Sequence, residues 1–378
     1  MSLGVTIFLI FFGMAFWLLL FLMGFAGLWA HWGLLSIVKA NLAKRGAVKL
    51  EENEISNVTT EVRELTVKKK KKEKPLSRKQ THIISSLKKH NEYYAFGLSV
   101  QGKSHKKTDN PIPCQDNHSF DSVNERIHIA IVSDGAGSAE NSHFGSQLAT
   151  KKLLEFTIEH IKENKWVEHK KLPSNKDWYK QSIALFKKTR TELQLHSKEK
   201  NIPFESLKCT LILVINTPHG FLSAQIGDGR AGFKLKEEYK SLVVPFQTFV
   251  VGATMFLTKD NWNQFFRTDA IEVTDPDAFF VISDGCDDFS FAQKGPVDKN
   301  ESGVYDMVYN EARYDHNKPF PGFYNSFIGN MKELVNSGDT EKITKVAEEI
   351  IDKGIYRGSP VDGIIKEDDD KTIVLFFK

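Results

Sequence analysis

Three aspartates in this sequence could act together, because each lies beside an apolar run typical of a buried β-strand. Asp134 and Asp284 end such runs, in HIAIVSDG and AFFVISDG, and Asp369 comes shortly before the final run TIVLFF. Strands of one fold can bring their ends to a common rim, so we expect the three carboxylates to converge although they are far apart in the chain. Carboxylate oxygens are the ligands that hard divalent cations such as Mg²⁺ and Mn²⁺ prefer.

Phosphate-ester hydrolysis is the chemistry that such a cluster favours. Two divalent cations about 3.5–4 Å apart can acidify a bridging water and hold the oxygens of an in-line displacement at phosphorus. A single Asp-Gly pair is more typical of a tight turn between strands. The Ser-Asp-Gly sequence occurs twice behind apolar runs, however, at 133–135 and 283–285, and an acidic cluster precedes the last strand. The set therefore favours a metal site over three unrelated turns.

Six strand-like runs and four helical patterns must position these residues. The strands are predicted at 94–100, 127–133, 210–216, 221–226, 278–283 and 372–377, and the helices at 142–163, 177–199, 323–335 and 340–353. The third and fourth strands, joined by TPHG, are predicted to form an antiparallel hairpin. Helical pairs that flank mostly antiparallel strands favour an α+β fold, an antiparallel β-sandwich flanked by helices in an α-β-β-α arrangement.

The first 38 residues are predicted to be a transmembrane anchor. Residues 4–30 contain no ionisable side chain and exceed the roughly 20 apolar residues that a membrane-spanning helix needs. A cleaved signal peptide is the alternative, but the segment lacks a basic start and its apolar run is longer than that of a signal peptide. Positive charge begins only at Lys39, so the positive-inside rule predicts a single-pass protein with its N-terminus outside and the catalytic domain in the cytoplasm.

Residues 39–92 are predicted to be a basic polar linker, and residues 93–378 the catalytic domain. Five consecutive lysines at 68–72 are typical of a solvated tether, and they could also contact anionic lipid. The formal net charge is only +3 and much of the lysine excess lies in the linker, so no nucleic-acid partner is implied. Three scattered cysteines, Cys114, Cys209 and Cys286, show no zinc-binding spacing and suggest reduced thiols in the cytosol.

Five short motifs, in this order and spacing, resemble the type 2C (PPM) metal-dependent protein serine/threonine phosphatases, in particular their shorter bacterial relatives. The motifs are Pro113-Cys114-Gln115-Asp116, Ser133-Asp134-Gly135-Ala136-Gly137-Ser138, Gly227-Asp228-Gly229-Arg230, Ser283-Asp284-Gly285 and Asp369-Asp370-Lys371-Thr372. The resemblance covers residues 94–378. It implies a phosphatase that hydrolyses phosphoserine and phosphothreonine by attack of metal-activated water, without a phosphoenzyme, and together with the predicted anchor this indicates a membrane-anchored enzyme that acts on cytoplasmic proteins.

The resemblance also implies the metal ligands. Two Mn²⁺ or Mg²⁺ ions, or three, would be held by the carboxylates of Asp134, Asp284 and Asp369, by the carbonyl of Gly135, and by Asp116 through a bound water. Asp228 matches a motif that mainly shapes a turn of the sheet, so a structural role is favoured for it, with a contribution of Asp116 or Asp228 to a third, weaker metal site as the alternative.

Three positions depart from the pattern of the eukaryotic members. Gln115 stands where a glutamate often lies, Ala136 replaces the histidine that protonates the leaving group, and Pro111 replaces the arginine that grips the phosphate. The substitutes that we predict for contact with the substrate phosphate are His105, Lys106 and Lys107. For proton donation, the alternatives are His105 and His143.

Two other functions are compatible with these residues. One is a catalytically silent scaffold protein with a phosphatase fold at the membrane, and the other is a two-metal phosphoesterase that acts on a small molecule. An active enzyme is favoured over the silent scaffold because facing carboxylates repel one another and destabilise a fold that binds no metal.

Overall fold

The fold consists of two antiparallel sheets and four long helices, as described by a computed structural model. The structure describes residues 83–106, 112–245, 254–291, 296–299, 305–307, 318–338, 340–353, 355–356, 359–360 and 369–378. All of them belong to one compact unit, 79–378. The predicted anchor, the lysine run at 68–72, Lys107 and Pro111 lie outside these ranges. Within the ranges, none of the helices has the length and apolar character needed to cross a bilayer.

Fifteen strands occur among the described residues. They are β1 (Ile83–His90), β2 (Tyr93–Val100), β3 (Asn117–Val123), β4 (Ile127–Ser133), β5 (Leu211–Thr217), β6 (Gly220–Ile226), β7 (Arg230–Leu235), β8 (Glu238–Val243), β9 (Arg267–Glu272), β10 (Ala278–Ile282), β11 (Pro296–Lys299), β12 (Tyr305–Met307), β13 (Ile355–Tyr356), β14 (Ser359–Pro360) and β15 (Lys371–Phe377). Two pairs, β11–β12 and β13–β14, form small separate ribbons.

The remaining strands form the two large sheets, and every pairing within them is antiparallel. The six-stranded sheet has the order β1-β2-β15-β10-β7-β8, and the five-stranded sheet has the order β3-β4-β5-β6-β9. Strand β15, last in sequence, therefore lies between β2 and β10. This insertion brings the acidic segment before β15 next to the loops that follow β2 and β10.

Four long helices cover the outer faces of the sheets. They are α1 (Ser142–Glu163), α2 (Asn175–Lys200), α3 (Pro321–Ser337) and α4 (Thr340–Lys353). Local signals set their limits: the Ser174 hydroxyl accepts the Asp177 N–H at the start of α2, and Asn201 ends it with a left-handed φ of 52°. Helix α3 starts at Pro321 and is followed by Gly338, whose φ is 72°.

The hydrophobic core has three layers. Side chains of α1 and α2 pack on one face of the five-stranded sheet, and those of α3 and α4 pack on the outer face of the six-stranded sheet. A third cluster, which includes Phe120, Val132, Phe279 and Phe376, fills the space between the sheets. Strands β4, β5 and β10 are buried on both faces, and this explains why they read as continuous apolar runs. The predicted sandwich flanked by helices is confirmed for the described part of the chain.

All six predicted strands and all four predicted helices are present, with ends that differ by at most two residues. The sequence prediction missed β1, β3, β7, β8 and β9 of the two large sheets, and it also missed the four short strands β11 to β14 of the ribbons. Strand β9 has no fully buried residue and β3 carries polar residues at most positions, so neither has a clear hydrophobic period.

Strand β1 corrects the predicted linker boundary. It lies inside the range 39–92, and all eight of its residues pair with β2, from Ile83 opposite Val100 to His90 opposite Tyr93. The folded sheet therefore begins before residue 93.

Candidate active site

Three aspartates from different elements meet at one end of the sandwich. Single carboxylate oxygens of Asp134, Asp228 and Asp284 all lie within 4.8 Å of one another. Asp134 follows β4, Asp228 lies in the turn between β6 and β7, and Asp284 begins the helical turn after β10. The convergence predicted for Asp134 and Asp284 is therefore present, and Asp228 joins them.

The backbone around Asp134 is held by the segment before β5. The Asp134 N–H donates to the Thr210 hydroxyl at 2.9 Å, and the Thr210 N–H donates to the Asp134 carbonyl at 2.8 Å. Gly135 pairs with Cys209 in an isolated bridge. A Cβ atom at Gly135 would lie 2.5 Å from the Gln115 carbonyl oxygen, so only glycine allows the close approach of these two loops.

Asp116 is a buried carboxylate beside the cluster. Its side chain comes from the loop before β3, only 1 % of its surface is exposed, and neither oxygen has a hydrogen-bond partner of normal geometry. Burial raises the pKa of Asp116 well above its ordinary value, and the nearby Asp370 carboxylate raises it further. Burial also raises the pKa of Asp134, followed by the charges of Asp116, Asp284 and Asp228. These carboxylates crowd one another, which is the arrangement expected where a divalent cation binds.

Asp369 lies close enough to this cluster for its charge to raise the pKa of Asp116, but it is not one of the three aspartates that meet within 4.8 Å. The third of these aspartates is Asp228 instead. One of its carboxylate oxygens accepts a hydrogen bond from the Thr254 hydroxyl group. In the sequence, Asp228 lies between two glycines after an apolar strand, a pattern that also indicates a turn.

Asp370 is a second residue whose role the sequence did not indicate. Its side chain is 2 % exposed and accepts three hydrogen bonds: from the Gly102 N–H at 2.7 Å, from the Gln115 N–H at 2.5 Å and from His105 Nδ1 at 2.9 Å. One carboxylate therefore joins the loop after β2, the loop before β3 and the start of β15.

His105 lies on a short helix, Lys103–Lys106, with 13 % of its side chain exposed. The hydrogen bond that His105 donates to Asp370 raises the pKa of His105 against the opposing effect of burial, and the charges of Asp370, Asp369 and Asp116 also favour its protonated form. Lys106, the next predicted phosphate contact, has its ammonium group 3.8 Å from the Asp352 carboxylate of α4.

The other positions singled out in the sequence have structural contacts. The His143 ring lies 4.0 Å from the Phe144 ring, and burial lowers the pKa of His143. The Gln115 side-chain amide donates to the Ala139 carbonyl at 3.4 Å. Ala136 is buried, and its N–H donates to the Lys208 carbonyl.

A buried ion pair connects two of the loops that carry aspartates. The guanidinium of Arg230, at the start of β7, lies 2.7 Å from the carboxylate of Asp287, and each side chain is 9 % exposed. The guanidinium also lies over the Phe291 ring, 5.2 Å from its centroid. The pair ties the turn that carries Asp228 to the helical turn that carries Asp284.

Comparison with known proteins gives one family match. A family model described as protein phosphatase 2C matches residues 101–318, more than half of the chain. No curated protein sequence matches significantly.

Three solved structures with similar chains are distant from this chain in sequence. A bacterial serine phosphatase is 11 % identical with a TM-score of 0.44, and the match covers 75 % of this chain and 96 % of that one. The serine/threonine phosphatase Stp1 from Staphylococcus aureus is 11 % identical with a TM-score of 0.44, covering 80 % and 99 %. PppA, a regulatory component of T6SS in Pseudomonas aeruginosa, is 12 % identical with a TM-score of 0.42, covering 75 % and 97 %.

Proposed function

This chain belongs to the protein phosphatase 2C family, and from that premise we propose that it removes phosphate from phosphoserine and phosphothreonine in proteins with the help of bound divalent cations. Its enzyme class, protein serine/threonine phosphatase, agrees with the class that its motifs predicted. We propose its catalytic activity, its metal ions, its substrates and its cellular location.

The carboxylate cluster is the observation that carries the proposal. Asp134, Asp228 and Asp284 bring oxygens within 4.8 Å of one another, and the buried Asp116 beside them has no hydrogen-bond partner of normal geometry. These donors fit Mn²⁺ or Mg²⁺, both of which take oxygen ligands. When bound, such ions would acidify a water and neutralise the charge of the phosphate.

We propose that two ions, or three, bind here. The ligands would be the carboxylates of Asp134, Asp284 and Asp369, together with the Gly135 carbonyl and Asp116. Asp228 is added because its carboxylate lies beside those of Asp134 and Asp284. The protein's own contribution is to hold these groups in a fixed arrangement, through the Thr210 contacts and the Arg230–Asp287 ion pair.

The loop after β2 would contact the substrate phosphate. It carries His105 and Lys106, and Lys107 follows directly in sequence. Asp370 ties this loop to the rim of the cluster through Gly102 and His105. A histidine or lysine would attract the phosphate as a cation, without the forked grip of an arginine.

The apolar residues 4–30 and the basic residues that follow support a membrane location. We propose that the N-terminal segment anchors the protein with the phosphatase domain in the cytoplasm. Its substrates would then be phosphorylated proteins near the membrane.

Hydrolysis by the full-length protein tests the proposal. We expect turnover of p-nitrophenyl phosphate and of a phosphothreonine peptide with Mn²⁺, no turnover with EDTA, and none from Asp134→Asn. The matched control is Asp269→Asn, since Asp269 is an exposed aspartate of β9. A folded protein without turnover under any divalent cation would contradict the proposal and favour the silent scaffold, and hydrolysis of small phosphate esters alone would favour the small-molecule phosphoesterase.

A further inference from the structure

Hydrolysis of a serine or threonine phosphate needs a source of protons, because the departing oxygen is a poor leaving group unless it is protonated. The groups beside the cluster are mostly carboxylates, which would be ionised when they hold a cation and so would have no proton to donate. Another side chain at this rim must therefore donate the proton. A suitable donor must lie next to the cluster, have one N–H or O–H free of internal partners, and be held in a fixed orientation.

His105 meets these conditions among the described residues. Its Nδ1 is 2.9 Å from a carboxylate oxygen of Asp370, so the ring orientation is set by a partner that is itself almost fully buried. Asp370 is in turn fixed by the N–H groups of Gly102 and Gln115. With Nδ1 engaged, Nε2 remains as the nitrogen that can face a substrate, and part of the side chain is exposed to solvent.

Other basic groups near the rim fit less well. Lys106 lies beside Asp352, which draws its ammonium group toward α4. The His143 ring packs on Phe144, and its Nδ1 is buried without a partner, so no carboxylate orients it.

We propose that Asp370 positions His105 so that Nε2–H of His105 gives its proton to the leaving oxygen of the phosphorylated side chain. This assignment rests on the proposed phosphatase function and adds two roles to it. His105 is a catalytic residue that contacts the substrate, and Asp370 is a positioning residue that acts through His105.

The oxygen of a water molecule forms a bond to phosphorus while the bond between phosphorus and the serine or threonine oxygen breaks. The electron pair of the broken bond goes to that oxygen, which takes the Nε2 proton and leaves as a hydroxyl group. The attacking water loses its proton to solvent, inorganic phosphate is released, and solvent returns a proton to the neutral imidazole.

The dependence of rate on the leaving group tests the role of His105. p-Nitrophenolate is stable as an anion and leaves without a proton, whereas a threonine alkoxide needs one. We expect His105→Gln in the full-length protein with Mn²⁺ to lower kcat for a phosphothreonine peptide by about 10²-fold or more, as for loss of a general acid. The kcat for p-nitrophenyl phosphate should fall by a much smaller factor. His143→Gln should lower neither in this selective way.

A double-mutant cycle tests the role of Asp370. Asp370→Asn should give the same selective loss for the peptide, but in the His105→Gln background it should cause little further loss of kcat, because its effect passes through the histidine. A role in loop structure alone would lower kcat for both substrates, and it would do so equally in both backgrounds.

Three results would overturn the proposal. They are an equal loss for both substrates in His105→Gln, a selective loss in His143→Gln instead, and additive effects of His105→Gln and Asp370→Asn. In each of these cases Mn²⁺-dependent turnover by the unmodified protein, abolished by Asp134→Asn, would leave the phosphatase function standing. Absence of turnover in the unmodified protein would instead overturn both.

Discussion

At the scale of one residue, Asp116 is a carboxylate that a bound cation would stabilise. A buried carboxylate normally accepts hydrogen bonds, yet neither oxygen of Asp116 has a hydrogen-bond partner of normal geometry. Its pKa is raised by burial and by Asp370, which means that its charged form is unfavourable in the metal-free fold. A residue in this state destabilises the protein unless an ion neutralises it.

Replacing Asp116 by asparagine should therefore have opposite effects with and without metal. In EDTA, we expect Asp116→Asn to raise Tm by roughly 2 °C or more, since about 1 kcal/mol shifts Tm by roughly 2–4 °C in a domain of this size. With saturating Mn²⁺, the gain in Tm over EDTA should be smaller than in the unmodified protein, because a ligand has been lost. Thermal unfolding in both buffers measures the two effects. A lower Tm in EDTA would mean that Asp116 stabilises the fold itself.

His128 should make the stability of the protein depend on pH in a predictable direction. It lies between the sheets, with Nδ1 2.7 Å from the Ser122 hydroxyl and its ring 4.7 Å from that of Tyr93. Burial lowers the pKa of His128 to about 4, and the positive charges of His90 and Lys378 add to this effect. In the unfolded chain, His128 therefore binds a proton near pH 6.5, whereas in the folded chain it binds one only near pH 4.

The contribution of neutral His128 to the unfolding free energy is present above about pH 6.5 and is lost as the pH falls toward 4. Between pH 7 and pH 5, we expect the unmodified protein to lose roughly 1–2 kcal/mol more unfolding free energy than His128→Gln. Urea unfolding of both proteins at the two pH values measures this difference, in which contributions from other titrating groups largely cancel. Parallel losses in the two proteins would show that His128 is protonated in the folded state at pH 5.

At the scale of elements, the Arg230–Asp287 pair is the contact that connects the turn carrying Asp228 with the helical turn carrying Asp284. Its side chains come from the start of β7 and from the turn after β10, and both are almost fully buried. Removing one partner leaves an uncompensated charge in the protein interior. The exposed pair Lys240–Glu238, at 3.1 Å, provides a matched contrast on β8.

We expect Arg230→Met to lower the unfolding free energy by about 3–5 kcal/mol, whereas Lys240→Met should change it by less than about 1 kcal/mol. The double variant Arg230→Met/Asp287→Leu should recover much of the loss, because both buried charges are then gone. Chemical denaturation of the three variants measures these values. If the double variant is as unstable as Arg230→Met, the loss comes from packing around Phe291 and not from the unpaired charge.

At the scale of the whole molecule, β1 decides where the folded unit begins. A fragment that starts at residue 93 removes β1 and leaves β2 as an exposed edge strand, which favours association with other chains. It also removes Leu87, which packs against the core below α3 and α4.

We therefore expect the fragment 79–378 to be a soluble monomer, and the fragment 93–378 to be less stable by at least about 2 kcal/mol, given a net value near 1 kcal/mol for each hydrogen bond. Urea unfolding and size-exclusion chromatography compare the two fragments. Equal stability and equal monomer content would show that β1 is not needed for the sandwich to fold.

Most elements of this protein could be predicted because their signals are local. The buried strands β4, β5 and β10 form continuous apolar runs, and α1 has the same limits in the structure as in the sequence prediction. Strand β1, in contrast, is short of apolar residues and is recognisable only through its partner β2. The membrane anchor remains a prediction from residues 4–30.

The residues alone predict a chemistry for the site, because aspartates placed at strand ends, in a family order, indicate a metal-dependent phosphatase. Which of these aspartates lie together depends on the tertiary structure, which groups Asp228 with Asp134 and Asp284. Because β15 inserts between β2 and β10, Asp370 meets Gly102, Gln115 and His105, contacts between residues up to 268 positions apart in the chain. No local pattern encodes such a contact, since it depends on which strands become neighbours when the two sheets form.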